Sequence, residues 1–113
     1  MTISGVEILK QEIGEFELLY MLHVPVDSIY FKGHFPGRPI LPGVTQVDWV
    51  VSLSQPLLVV DAIKSLERVK FMRPIRPNSN VSVKLTLSSE GRCLSYRFFD
   101  NAGDYSSGHL IFG

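Results

Sequence analysis

Hydrophobic and polar positions change their period twice along the chain. From Glu15 to Val24 the stretch EFELLYMLHV is rich in strand formers and closes on Pro25 and Asp27, so it reads as a strand, with a shorter one over Val6 to Leu9. Past Pro42-Gly43 the period lengthens. Val44, Val47, Asp48, Val51 and Gln55 follow the i, i+3, i+4, i+7 and i+11 series of a helical face, while Trp49, Val50 and Leu53 make the other sides apolar too. A helix apolar nearly all round is expected to be buried. Pro56 lacks an amide hydrogen and clashes with the preceding turn, so it should end or kink the helix after about three to four turns.

Downstream the period shortens to two. Val81, Val83, Leu85 and Leu87 alternate with Ser82, Lys84, Thr86 and Ser88, and Leu94, Tyr96 and Phe98 alternate with Ser95 and Arg97, which predicts two half-buried strands joined at Ser-Glu-Gly. A strand before them, about Ala62 to Met72, and one after the turn Asp100 to Gly103, about Tyr105 to Phe112, are expected to complete a meander. The whole predicts one α+β domain over residues 1–113, an antiparallel sheet wrapped around a single central helix, the arrangement of a hot-dog fold.

Composition narrows the class of partner. A chain of 113 residues buries roughly two-thirds of its unfolded surface and leaves no room for a second domain. Cationic and anionic side chains balance at 11 each, which gives no global reason to propose nucleic acid or an anionic membrane. The single Cys93 excludes an intramolecular disulfide and a cysteine-rich metal site, and fits a reducing compartment. The run FELLYMLHV is too short to span a bilayer and contains Glu17, so neither export nor anchoring is expected and the cytoplasm is the expected location. Charged residues are only 19% of this small domain, so part of its surface is expected to be covered by another copy.

Residues 33–43, GHFPGRPILPG, carry the candidate chemistry. Pro36, Pro39 and Pro42 fix their own φ and restrict the residues before them, while Gly33, Gly37 and Gly43 permit close approach by a ligand or another chain. A histidine in a loop is ordinarily a solvated or hydrogen-bonded residue, but a loop this constrained holds His34 as a base must be held. Asp48 can be read as a residue on a wet strip of helix. Its i−4, i−1 and i+3 neighbours are all valines, however, and desolvation there would raise its pKa and make it a proton donor. The amides of Gly43 and Val44, first in the helix and without intrahelical acceptors, are placed to receive an oxyanion. A base, an acid and an oxyanion site are the parts needed to remove a proton next to a carbonyl and expel a β-leaving group.

The run G-H-F-P-G-R-P-I-L-P-G-V at 33–44, with Asp48 fourteen positions after His34, closely resembles the signature of 3-hydroxyacyl-(acyl-carrier-protein) dehydratases of the FabA and FabZ type. The segment V-K-F-M-R-P-I-R-P at 69–77 extends the likeness, and L-P-G-V-T-Q-V-D-W at 41–49 looks most like the ApeI-type dehydratases of aryl polyene clusters. The resemblance implies a hot-dog homodimer whose sites combine His34 of one chain with Asp48 of the other, and no metal or redox cofactor. His34 would take the α proton, Asp48 protonate or orient the leaving hydroxyl, and the Gly43 amide polarise the carbonyl. Phe35, Val44, Val47, Val51 and Phe71 are the candidates to line an acyl tunnel, or equally to be plain core. Ser52 departs from the family's pattern, which commonly has a glutamine four residues past the carboxylate to hold it.

Arg68, Lys70, Arg73 and Arg76 gather within nine residues, with Arg38 in the loop. A charge run is commonly a solvated face; the functional reading is a contact for the acidic surface and phosphopantetheine phosphate of acyl carrier protein. Nucleic acid is disfavoured because no aromatic platform stands beside the run. A hot-dog thioesterase and a non-catalytic acyl-binding or dimerisation module remain alternatives to the dehydratase.

Overall fold

The computed structural model describes residues 5–28, 41–57 and 63–112. Among these residues, six strands and one helix follow in the order β1 (Glu7–Ile13), β2 (Glu17–Val24), α1 (Gly43–Leu53), β3 (Ile63–Phe71), β4 (Ser79–Leu87), β5 (Cys93–Asp100) and β6 (Gly103–Phe112). All pair antiparallel in one sheet of order β1-β2-β4-β5-β6-β3. The expected meander is therefore corrected: β4, β5 and β6 follow one another, but β3 lies beyond β6 at the far edge and β4 pairs with β2. The connection from β3 to β4 cannot turn tightly, because it contains Pro74 and Pro77, and it buries Ile75 on the way. The first strand also runs four residues further than its apolar start indicated, carrying an almost wholly exposed sequence on the other edge.

The period-two alternation reports one face of the sheet. Leu18, Tyr20, Leu22 and Val24 of β2, Val81, Val83 and Leu85 of β4, Leu94, Tyr96 and Phe98 of β5, and Leu110 and Phe112 of β6 are all buried. They pack in one cluster with Trp49, Val50 and Leu53 of α1. Two buried hydrogen bonds show how the helix lies. Near its start, the Ser106 hydroxyl of β6 donates to Gln46 Oε1 at 2.6 Å; at its end, the Tyr20 hydroxyl of β2 donates to the Leu53 carbonyl at 2.9 Å. β6 and β2 are three strand spacings apart, about 14 Å, and an eleven-residue helix is about 16 Å long, so α1 crosses the strands from β6 to β2. The helix stops before Pro56, as expected, with Ser54 closing it through its amide to Val50 O.

The helix is not buried all round. Thr45, Gln46, Trp49, Val50 and Leu53 face the sheet, whereas Val44 and Asp48 are exposed and Val47, Val51 and Ser52 half-buried. One apolar face fills the chain's own core and the other is left outside it.

A polar clasp ties the β5–β6 turn to the chain leaving β3. Arg73 Nη2 donates to Asp100 Oδ1 at 2.5 Å and to the Gly103 carbonyl at 2.8 Å, and the guanidinium stacks 3.9 Å from the Tyr105 ring centroid. The Tyr105 hydroxyl donates to the other oxygen of Asp100 at 2.6 Å. These bonds, Arg73 first, hold the Asp100 carboxyl at about 2, below its usual 3.8. A carboxyl depressed in the folded state stabilises the fold above its unfolded value, and that contribution is lost as pH falls through the folded value. Thermal melts should accordingly show wild type losing stability between about pH 4 and pH 2 relative to Asp100→Asn, the gap between the two being constant at higher pH.

Candidate active site

The seating of α1 decides where Asp48 points. Burial of Gln46, Trp49, Val50 and Leu53 against the sheet leaves the opposite side of the helix to Val44, Val47, Asp48 and Val51, residues one helical turn or less apart. With Thr45 they line an open groove of about 320 Å³. Among the described residues the lining is three valines, Thr45 and one carboxylate, apolar with a single acid. Among the described residues Asp48 has neither a hydrogen-bond nor an ion-pair partner, and Ser52, one turn on, forms no bond to it. The burial expected from its valine neighbours is not met within one chain: Asp48 is exposed, because those valines belong to the outward face.

The start of the helix is built for close approach. Pro42, with φ −59° and ψ 145°, is the N-cap residue, makes no side-chain cap, and is followed by a first turn without acids. The first intrahelical bond, Gln46 N to Pro42 O at 3.2 Å, leaves the amides of Gly43, Val44 and Thr45 without an acceptor inside the helix. Their position is set from two sides. The Leu41 amide donates to Ile75 O at 2.8 Å, and Gln46 Nε2 donates to Leu41 O at 3.4 Å. Phe71, at the end of β3, lays its ring against Gly43, where a Cβ would fall 2.5 Å from the ring edge. Phe71 is 57% exposed and Val44 79% exposed; Val44 lines the groove, and Phe71 lies against the residue just before it.

Of the sequence candidates, Val44, Val47, Asp48 and Val51 thus share one helical face, with Gly43 at the helix start and Phe71 of β3 against Gly43. His34, Phe35 and Arg38 lie outside the described residues. Among the basic residues, Arg68, Lys70 and Arg76 are exposed, Arg68 at a left-handed φ of 53° where the pairing of β3 with β6 slips between Glu67 and Lys70. Arg73 stands apart from them, half-buried in the clasp on Asp100. Sequence reasoning passed over Gln46 and Ser106. The signal available was a glutamine inside the apolar run VTQVDWVV, two residues from the acid.

An antiparallel sheet curled across one helix, with a lone acid on the helix's open face, is the architecture of the hot-dog class. A family model described as ApeI-like, ApeI dehydratase, matches residues 10–109. The FabZ 3-hydroxyacyl-[acyl-carrier-protein] dehydratase of Latilactobacillus sakei subsp. sakei (strain 23K) is 33% identical over 88 residues, 71% of this chain and 62% of that protein. That of Syntrophobacter fumaroxidans (strain DSM 10017 / MPOB) is 29% identical over 85 residues, 67% of this chain and 58% of that protein. The chain spans about six-tenths of the length of these curated relatives. A solved structure described as the dehydratase heterocomplex ApeI:P from Xenorhabdus doucetiae superposes with a TM-score of 0.84 at 31% identity, covering 93% of this chain and 95% of that one. An uncharacterised protein from Erwinia carotovora subsp. atroseptica superposes with a TM-score of 0.75 at 29% identity, covering 96% and 91% of the two chains. This chain belongs to the ApeI-like dehydratase family.

The contact between Gly43 and Phe71 is open to direct measurement. A methyl at residue 43 gains helix propensity but must displace the Phe71 ring, an overpacking cost of about 1 kcal/mol for a ring free to swing outward. Gly43→Ala should be near neutral in wild type and stabilising in a Phe71→Ala background, with a coupling of about 1 kcal/mol in a urea double-mutant cycle.

Proposed function

We propose that this protein dehydrates 3-hydroxyacyl thioesters carried on acyl carrier protein to trans-2-enoyl thioesters, in fatty-acid or aryl polyene biosynthesis. The observation that carries the reading is Asp48 in an open valine-lined groove, one turn from an uncapped helix start, in a chain of a dehydratase family. His34 removes the proton α to the thioester carbonyl. The electron pair shifts toward the carbonyl oxygen, which the Gly43 and Val44 amides receive at the positive end of α1. As the pair returns to form the Cα=Cβ bond, the Cβ–O bond breaks and Asp48 gives a proton to the departing hydroxyl, releasing water. The proton taken by His34 then restores Asp48. Proton transfers and one elimination need no redox or metal cofactor, and the substrate arrives on its phosphopantetheine arm.

A groove open along one side needs a second wall. In this reading it is a second copy of the chain, whose own groove is completed in return, so that His34 of one copy serves Asp48 of the other and Phe35, Val44, Val47, Val51 and Phe71 enclose the acyl chain. The exposed valine face of α1 and the exposed Phe71 support such a pairing. A pairing with a different hot-dog chain is the second reading, favoured by the likeness to a protein solved as a dehydratase heterocomplex. Arg38, Arg68, Lys70 and Arg76 serve the acidic carrier protein; Arg73 already has a carboxylate partner inside the chain. A carrier-protein substrate places the enzyme in the cytoplasm. Among the described residues no helix is long and apolar enough to cross a membrane.

Incubation of the purified protein with 3-hydroxyacyl carrier protein tests the reaction. Loss of water identifies a dehydratase, free acid a thioesterase and no change a binding module. His34→Ala and Asp48→Asn should each lower turnover by at least about a hundredfold; turnover surviving both would sink the assignment. Mixing the two inactive variants after mild dissociation should restore part of the activity if one site draws on two copies, and none if each chain is self-sufficient or needs a different partner.

A further inference from the structure

We infer that Gln46 and Ser106 are the positioning residues of this site: their buried hydrogen bond sets the roll of α1 and thereby the place of the Asp48 carboxylate and the first helical amides. The inference rests on the reading of Asp48 as the proton donor.

Gln46 is 3% exposed and Ser106 fully buried. A leucine or methionine would fill the same space and bury more apolar surface, so packing does not explain a primary amide here. A buried amide is tolerated when its donor and acceptor are both engaged, and Gln46 meets that condition in a particular way. Its Oε1 accepts from Ser106 of β6 at 2.6 Å and its Nε2 donates to Leu41 O at 3.4 Å, while the Leu41 amide is held by Ile75 O. One side chain therefore ties the helix to the sheet and to the segment that enters the helix. Gln46 does not touch Asp48. Two residues at about 100° each place them on opposite sides of the helix, so any influence passes through the helix as a rigid body.

The lever is large. A roll of ~20° moves a group ~5 Å from the helix axis by ~2 Å, and misplacement by ~1 Å costs about a hundredfold in a positioned reaction. The apolar contacts of Trp49, Val50 and Leu53 resist such a roll only softly, since side chains re-pack around it; a hydrogen bond of 2.6 Å between two buried groups does not stretch at low cost. The far anchor behaves differently. Tyr20 bonds a backbone carbonyl at Leu53, close to the axis and directed along it, where it holds the helix end down without fixing the roll.

Ser106→Ala, Ser106→Thr and Tyr20→Phe separate these roles. In folded Ser106→Ala, kcat on 3-hydroxyacyl carrier protein should fall roughly tenfold or more with KM within about twofold, and Ser106→Thr, which keeps the hydroxyl, should recover it. Tyr20→Phe should lower Tm and leave kcat unchanged. The Asp48 carboxyl carbon and the Gly43 and Val44 amide resonances should shift in Ser106→Ala and stay in place in Tyr20→Phe. Equal kcat in Ser106→Ala and wild type, or an equal fall in Tyr20→Phe, would overturn the inference. Should Ser106→Ala fail to fold, Gln46→Met, which keeps chain shape and volume, carries the same readouts. If wild type does not dehydrate the substrate, the functional reading fails, and the resonance shifts alone decide whether the pair positions Asp48.

Discussion

Everything at the site depends on how one short helix is rolled against the sheet. An eleven-residue helix has little intrinsic stability, and this one has no side-chain N-cap and no charge in its first or last turn to complement its dipole. It exists because Trp49, Val50 and Leu53 are removed from water by the concave face of β2, β4, β5 and β6. Apolar burial fixes that the helix lies there, yet it is non-directional and tolerates rotation. Direction comes from the polar contact near its start, Ser106 to Gln46, while Tyr20 to Leu53 holds its far end against the sheet. The groove, the exposure of Asp48 and the opening of the first amides are consequences of that choice of roll.

How much of this is legible in the sequence follows from what periodicity encodes. Alternation at Val81-Val83-Leu85 and Leu94-Tyr96-Phe98 says which side chains share a face, and those residues are buried as read. It says nothing about which strand lies beside which. The placement of β3 beyond β6 was invisible to pattern, although Pro74 and Pro77 in the connection to β4 argue against a hairpin there. The β3 edge is also irregular, with pairing slips between Ile63 and Ser65 and between Glu67 and Lys70, and a slipped register blurs the alternation that would mark the strand.

The helix misled in an instructive way. The series Val44, Val47, Asp48 and Val51 is a clear helical face, and it is the face left outside the core. A helix apolar on two sides satisfies its own sheet with one and keeps the other for something else; hydrophobicity alone does not rank them. The polar residues do. Gln46 is buried because Ser106 and Leu41 meet both ends of its amide, whereas Asp48 has no such partners among the described residues, and turning it inward against them would carry an uncompensated desolvation cost. A neutral amide with two partners went in and a carboxylate with none stayed out, which orients the valines as well.

The same rule separates the basic residues. Arg68, Lys70, Arg73 and Arg76 are equivalent as a cluster in sequence, but Asp100, which lies 27 residues after Arg73, draws that one guanidinium into the clasp with Gly103 and Tyr105. The carboxylate sits at the turn between β5 and β6, and the arginine follows directly on the end of β3. Because β3 pairs with β6, the observed strand order sets Arg73 directly beside the β5–β6 turn; in a simple meander β4 would stand between β3 and β5, and the pair would have to reach across about 10 Å of sheet. A contact made possible by topology in turn favours that topology, since the alternative leaves Asp100 and Tyr105 without the cation they share. Charge pairing across distant parts of the sequence thus supplies the information about strand order that local alternation lacks.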